Sequence, residues 1–562
     1  MVRLAAGRGE RLAAAALLAA HVLLACWGIA RNSVTFDENE HVPAGAAIVT
    51  RGDFMLAPEQ APLARMAYAL AALAAGARVP PLEHGPRYNE FDFGQDFAHA
   101  NADRFVRIYS AARLLSVMYS VLLALLVWHW ARRLHGPRGG LLALAAYSFA
   151  PEALAHAGVA GIDMPSALTV TASLYGFWRF TREGTWRAWA FTALAVSLAL
   201  LTRFNALQLG PVFLLLALLA PLGGRPPRPL RLWIGLALLP LAMLLALQAA
   251  YLGRTSWLPL SQWHFGSLAF QHLQQRWPWL RLPLPDAFVA GLDFLGTMRQ
   301  TPVLTLLLGR VSPETHWYYA PFALLIKWPL GFLGLLLARG LFVFRAPHAP
   351  KHAWHERFAW LSALALMLLA MFVTRLDVGI RYLLPMVPLL CVWIGALAAP
   401  AARFPAALER AHRRWALTGA ALCALAAAEA LAGEPYPLSF FNRLAGPHAD
   451  QLVNDSAVDW GQGLVALRDE LQRRGIGRIY LTYHGTTDPA LYGIDYVPYL
   501  GGGLGNQSDW FAVSSYYLMG LPQRMVTPQG RTQEFLRFDL WMFRERPPTA
   551  RPARCMYLYR LR

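Results

Sequence analysis

Charge is scarce in this chain, and negative charge scarcer still. Of 562 residues only 15% are charged, with 33 acidic against 51 basic side chains, while 56% are hydrophobic. An ordinary soluble enzyme needs far more polar surface, so the composition points to a polytopic membrane protein. Cysteine is scarce too. The four present, Cys26, Cys391, Cys423 and Cys555, show no metal-ligand spacing, and the first three lie in apolar runs. Neither a disulfide framework nor a zinc site is supported. A basic polar domain is also missing: the net charge of +18 recurs as short groups between apolar runs, a pattern of membrane topology rather than of nucleic-acid binding.

Apolar runs, by contrast, are abundant. A bilayer core takes about 20 apolar residues per helix, and the runs 12–30, 105–130, 139–157, 164–178, 188–203, 206–222, 232–251, 320–341, 358–375, 382–400 and 415–432 predict eleven crossings. Residues 12–30 resemble a signal-peptide core, yet no clear small-residue cleavage site follows, so they count as the first membrane helix. Basic residues then sort the connections. Arg3, Arg8 and Arg11 precede the first run, Arg132, Arg133 and Arg138 follow the second, and Arg179, Arg182 and Arg187 the fourth. Arg225, Arg228 and Arg231 follow the sixth, Arg345, Lys351 and Arg357 the eighth, and Arg403, Arg410, Arg413 and Arg414 the tenth. Every second connection is basic, which predicts a cytoplasmic N-terminus and an extracytoplasmic tail. The long outer loops are then 31–104 and 252–319.

Ionisable residues gather on that outer side. "TFDENEH" (35–41) places Asp37, Glu38, Glu40 and His41 at the exit of the first helix. These carboxylates either cap the following helix or supply a general base tuned by a neighbouring charge. "GDFMLAPEQAPLARM" (52–66) presents Glu59 from a proline-bent, juxtamembrane turn. Asp163 in "GIDMP", Arg203 at a span junction, His316 in "ETHWYYAPF" and Arg381 in "DVGIRYLLP" fall at the same boundary. Taken singly, His316 reads as an interfacial histidine beside aromatic residues, and the arginines as snorkelling side chains. Together they read as a cavity, because ionisable residues near the bilayer usually face one. Carboxylates, cations and a His/Glu metal pair suit transfer from a phosphate-linked donor, with the cations or metal holding the departing phosphate and a carboxylate deprotonating an acceptor hydroxyl.

These motifs resemble the membrane-embedded GT-C glycosyltransferases, specifically the glycosyltransferase family 39 group of protein O-mannosyltransferases and aminoarabinose transferases. The resemblance is carried, in order, by "FDENEHVPAGAAIVTRGDFMLAPEQAPLARM" (36–66), "FAPEALAHAGVAGIDMPSAL" (149–168), "LALLTRFNAL" (198–207), "ETHWYYAPFALLIKWPL" (314–330) and "LDVGIRYLLPMVPLL" (376–390). It implies a GT-C-like membrane domain over 1–432 and a polyprenyl-phosphate-linked sugar donor. It also implies inverting transfer to a protein, lipid or glycan acceptor on the outer face of a bacterial inner membrane. By the same resemblance Asp37 is the catalytic acid position with Glu38 beside it, and Glu59 and His316 are the positions that bind a divalent ion (Mg, Mn or Zn). Arg381 and Arg203 contact the lipid phosphate, and Asp163 faces the same cavity. The sequence departs from the family at Gln60-Ala61-Pro62-Leu63, where two adjacent prolines are usual.

From 433 the composition turns polar. "GQGLVALRDELQRRG" (461–475) has helical spacing and "RIYLTYHG" (478–485) reads as a strand, with further β-like runs at 510–518 and 553–561. A small extracytoplasmic α/β domain is expected over 433–562. Asp455, Asp459, Trp460 and Gln462 within it form either a capped helix start or a polar cluster with an aromatic platform for sugar. A flippase of lipid-linked sugars remains a rival, although no clear internal repeat of the transporter kind appears. A glycan-binding relative without turnover is the other.

Overall fold

The computed structural model describes residues 7–82, 89–223, 228–300, 303–345, 350–374, 379–399, 409–499, 501, 505–521, 523–526, 532–535 and 540–562. Arg3, Arg225 and Arg403 of the basic connections lie outside the described residues. The chain is an integral membrane protein dominated by apolar helices. The first, α1 (Arg8–Arg31), has 24 residues and is about 36 Å long, enough to cross a bilayer. In α5 (Phe105–Ser148) 44 residues run on, about twice a bilayer core. Gly136, at φ 80° ahead of Pro137, breaks it, so the runs 105–130 and 139–157 become two arms of one kinked element that continues into α6 (Pro151–Ala157). Next come α7 (Asp163–Glu183), α8 (Trp186–Thr202), α9 (Leu209–Leu219) and α10 (Pro229–Ala250). The loop 252–319 carries α11 (Leu268–Arg276) and α12 (Asp286–Met298).

One expected crossing is not a single helix. The run 320–341 folds as α13 (Tyr319–Lys327) and α14 (Leu330–Arg345), bent by 114°. Pro329 offers no N–H and disfavours helical geometry at Trp328, so the helix stops there. Farther along are α15 (Pro350–Leu369), α16 (Met386–Ile394) and α17 (Glu409–Gly433). Among the described residues, five helices are long and apolar enough to cross a membrane alone, and the bent pair makes a sixth candidate. The remaining runs form α7 and shorter apolar helices, among them α8, α9 and α16.

Contacts at the two ends of α1 separate two faces. At its start Arg132 pairs with Glu10 at 2.5 Å, Arg133 approaches Glu183 at 3.8 Å, and Arg231 donates to the Gly184 carbonyl at 3.1 Å, so four of the basic connections meet there. At its far end Arg31 pairs with Asp469 of the tail at 3.1 Å. The basic connections and the acidic loop with the tail therefore lie at opposite ends of a bilayer-length helix.

The acidic end is built from α2 (Glu38–Arg51), α3 (Pro62–Ala74) and α4 (Glu90–Ala100). Two glycines let these helices touch backbone to backbone. A Cβ on Gly45 would sit 2.1 Å from the Arg65 carbonyl oxygen, and one on Gly94 2.0 Å from that of Asn39, distances only glycine permits. In the tail, α18 (Leu464–Arg474) ends at left-handed Gly475 and leads into β4 (Arg478–Thr482). Strands β5 (Asp495–Pro498), β6 (Trp510–Ser514) and β9 (Met556–Arg560) complete a sheet of order β5–β4–β6–β9, parallel except for β9. The run 510–518 is strand only to Ser514, after which it turns helical. A second pairing ties the tail to the loop 252–319: β1 (Thr305–Leu307) pairs with β2 (Arg310–Ser312) on one side and with β3 (Val453–Asn454) on the other. A separate hairpin joins β7 (Gln523–Val526) and β8 (Thr532–Phe535).

Packing crosses the compositional boundary at 433. One hydrophobic cluster joins Val42, Tyr68 and Phe97 of the first outer loop to Leu464, Ile479 and Met556 of the tail. The outer loop and tail therefore share a core, and burial of that apolar surface locks them together.

Candidate active site

Asp37 stands just before α2. Its carbonyl accepts from the amides of Glu40 and His41 at 3.1 and 2.8 Å, but its carboxylate does not cap the helix. Instead Oδ2 accepts from Arg381 Nη1 at 2.7 Å and Oδ1 from the indole Nε1 of Trp460 at 3.3 Å. Of the two readings open for this carboxylate, the geometry is that of a positioned acid and not of a cap. Arg381 also lies 4.8 Å from the Trp460 ring and 5.5 Å from that of Tyr382. Both members of the pair stay partly open, with side chains 21% and 15% exposed.

Glu38, one residue on, is placed quite differently. Its oxygens take Arg113 Nε and Nη2 at 2.8 and 2.7 Å, the Thr35 amide and hydroxyl at 2.8 and 3.0 Å, and the Ala160 amide at 2.8 Å. Burial pushes this carboxyl up, but the Arg113 charge and the donated hydrogen bonds outweigh it, so the group titrates below the ordinary carboxylate range. With its acceptor sites spent and its side chain 0% exposed, Glu38 cannot touch substrate. The expectation that it shares catalysis with Asp37 is replaced by a structural part: it pins the exit of α1, where Arg113 also holds the carbonyls of Asn32 and Ser33 at 2.8 and 2.6 Å, to α5.

Asp163, first residue of α7, is ion-paired with Arg203 Nη1 and lies 3.7 Å from His156 Nδ1. Arg203 in turn covers the Tyr382 ring at 4.1 Å. Neither arginine simply snorkels to the headgroups. Asp37, Glu59, Arg203, Arg381 and Tyr382 line one cavity of about 330 Å³, with Glu40 and Glu90 on its wall. Asp163 lines an adjoining pocket through Arg203, Arg381 and Tyr382. Glu59 is presented by a loop that Arg65 ties down from α3, donating to the carbonyls of Leu56 at 3.3 Å and Ala61 at 3.4 Å and to that of Gln60. Burial, then the charges of Glu40 and Glu90, push the Glu59 carboxyl up to about 8.

His316 comes from the second long loop. It lies before α13 with its ring 5.2 Å from that of Tyr318 and is absent from the described residues lining the cavity that holds Glu59. Among the described residues no group of three or more His, Cys, Asp or Glu is disposed to hold a metal. The expected divalent-ion pair of Glu59 and His316 stays an expectation, and the aromatic neighbour of His316 also fits its interfacial reading.

The tail cluster divides as well. Asp455 accepts from the Ala457 amide at 2.5 Å and from the Tyr319 hydroxyl, and Asp459 from the Gly461 amide at 3.2 Å. Gln462 takes the Trp460 amide on Oε1 at 2.7 Å and donates Nε2 to Ser439 Oγ and the Val458 carbonyl at 3.0 and 2.8 Å. Those three hold a turn. Trp460 contacts Asp37 and Arg381 directly, and near it is His484, whose ring lies between Tyr516 at 4.0 Å and Phe36 at 5.3 Å. Burial and the Arg381 charge push His484 down to about 3 against the pull of Asp37, so it is neutral at physiological pH.

Sequence reasoning missed Arg113, Arg65 and the reach of Trp460. Arg113 carried a signal, since a charge inside the apolar run 105–130 must find a partner. Trp460 carried none that local sequence could place across 423 positions from Asp37.

Residues 107–252 match the family described as dolichyl-phosphate-mannose-protein mannosyltransferase. That family belongs to the group the sequence motifs resemble, so the resemblance to membrane glycosyltransferases is borne out over this stretch. No curated protein matches the chain. Among solved structures, ArnT from Cupriavidus metallidurans bound to undecaprenyl phosphate is similar at 16% identity and a TM-score of 0.46, over 84% of this chain and 74% of that one. The apo oligosaccharyltransferase of Archaeoglobus fulgidus is similar at 12% identity and 0.44, over 93% and 74%. The Saccharomyces cerevisiae Pmt1-Pmt2 complex bound to its sugar donor gives 17% identity and 0.34, over 45% and 35%.

Proposed function

We propose that the protein is a membrane glycosyltransferase that moves a sugar from a polyprenyl-phosphate donor to an acceptor hydroxyl on the extracytoplasmic face of a bacterial inner membrane. The supporting observation is the half-open Asp37–Arg381 pair at a cavity that also presents Arg203. The same cavity offers a base and two cations for a phosphate. The acceptor hydroxyl gives its proton to Asp37 as its oxygen attacks the anomeric carbon, and the bond from that carbon to the phosphate oxygen breaks with its electron pair leaving on the phosphate. Attack opposite the leaving group inverts the anomeric centre. Arg381 couples the two events. In the structure it is bonded to Asp37, and as charge grows on the departing phosphate it is drawn there, freeing a carboxylate oxygen of Asp37 to accept the proton.

The matched family's description names a mannosyl donor, so mannosyl is the first sugar to offer. The test is release of polyprenyl phosphate from polyprenyl-phosphate mannose, and from a panel of other sugars, by the purified protein. Donor-dependent release that is lost in Asp37→Asn supports the proposal, and the same assay with and without chelator tests the divalent-ion pair of Glu59 and His316. Binding or translocation of the donor without release would replace it with the flippase reading.

A further inference from the structure

The Asp37 carboxylate is reached from two far-separated parts of the chain, and one of them is the polar tail. Residues 33–36, which lead into Asp37, are bonded to the tail almost atom for atom. The Ser33 amide donates to the Gln462 carbonyl at 3.0 Å, Ser33 Oγ to the Gly461 carbonyl at 2.7 Å, and the Phe36 amide to the Trp460 carbonyl at 2.8 Å. The Leu464 amide returns a bond to Ser33 Oγ at 3.0 Å. Trp460 extends from this strip. Its indole N–H donates to Asp37 Oδ1, its face packs on the Arg381 guanidinium at 4.8 Å, and its edge meets His156 at 6.0 Å. His156 is the neighbour of Asp163, which pairs with Arg203. One buried ring, 2% exposed, thus touches Asp37 and Arg381 directly and the Asp163–Arg203 pair through His156.

From this geometry we infer that Trp460 is the positioning residue of the reaction, aiming the Asp37 carboxylate and holding Arg381 beside it, so that the tail is part of the catalytic centre and not an accessory domain. The inference rests on the glycosyltransfer reading above. An indole is suited to this position because it has one donor and no acceptor, so it can fix one carboxylate oxygen without competing for the acceptor proton. Its flat face keeps the guanidinium near the ring without binding it by hydrogen bonds, leaving Arg381 free to turn toward a phosphate. The turn around it, closed by Gln462, Asp459 and Asp455, immobilises the backbone on both sides of the ring.

The test uses the full chain in nanodiscs. Trp460→Phe keeps an aromatic face for Arg381 and removes the N–H together with the second ring of the indole, which is why the double-mutant and infrared comparisons are needed. Losing one hydrogen bond to a charged group should lower kcat about tenfold and leave the donor KM within about twofold, because the bond acts on the base and not on donor binding. In an Asp37→Asn background the same change should cost nothing further. A ring that merely supports the fold would lower the rate by the same factor in both backgrounds and would overturn the inference. A second readout needs no turnover. The carboxylate stretching band of Asp37, isolated in infrared spectra as wild type minus Asp37→Asn, should shift in Trp460→Phe, and an unmoved band would also overturn it. If the wild-type protein turns over no donor, the band still decides the part played by Trp460, and the glycosyltransfer reading fails separately.

Discussion

Asp37 and Glu38 are neighbours in the chain, both carboxylates, both paired with an arginine contributed from far away, yet they are opposite kinds of pair. Glu38 and Arg113 are sealed, with side chains 0% and 4% exposed, and the carboxylate has five donors. Asp37 has two and faces a cavity. The lesson is that an ion pair is structural when its acceptor capacity is exhausted and chemical when some is left over. The first kind is costly to break because a lone buried charge remains. The second kind is free to exchange partners.

Substitutions separate the two. Asp37→Asn should reduce donor turnover by about 10²–10⁴, the range of a positioned general base, with thermal stability in detergent nearly unchanged. Glu38→Ala should do the reverse in emphasis, destabilising the fold by about 3–5 kcal/mol through the stranded Arg113, read as a lowered melting temperature and a smaller folded fraction; if Glu38→Ala folded normally and lost only activity, the contrast would collapse. Arg381→Lys keeps the charge and loses the planar fork, so a loss of about tenfold in turnover is expected, with weaker inhibition by free polyprenyl phosphate as the confirming measurement.

The smallest effect concerns Glu59 and sharpens the picture of the cavity wall. Folding raises this carboxyl from its ordinary 4.5 to about 8, so between those pH values the folded chain holds a proton that the unfolded chain has released. Stability should therefore fall as pH rises through that window. Glu59→Gln should flatten the dependence of melting temperature on pH there, and identical slopes in the two proteins would show that Glu59 does not titrate in this way.

The sequence was most informative where one element suffices to define a feature. The apolar runs became helices, the alternation of basic connections reappeared as contacts of Arg132 with Glu10 and Arg231 with Gly184 at one end of α1, and 478–482 became a strand. Asp37, Glu59, Arg203 and Arg381 meet because each sits at a span boundary, which hydropathy can locate. What hydropathy cannot weigh is direction. Adjacent Asp37 and Glu38 project to different surroundings, so a motif that contains both cannot say which is spent. Likewise composition alone set the boundary at 433 across a core that joins Tyr68 to Leu464.

The strip that zips Ser33 and Phe36 to residues 460–462 has a consequence for how the protein is made. Asp37 enters the membrane with the first tenth of the chain, but its two side-chain partners arrive only with residues 381 and 460. Until those segments are made, the Asp37 carboxylate lacks both of these partners, so on the proposed reading the base can be aimed only after the tail has closed on the loop made first.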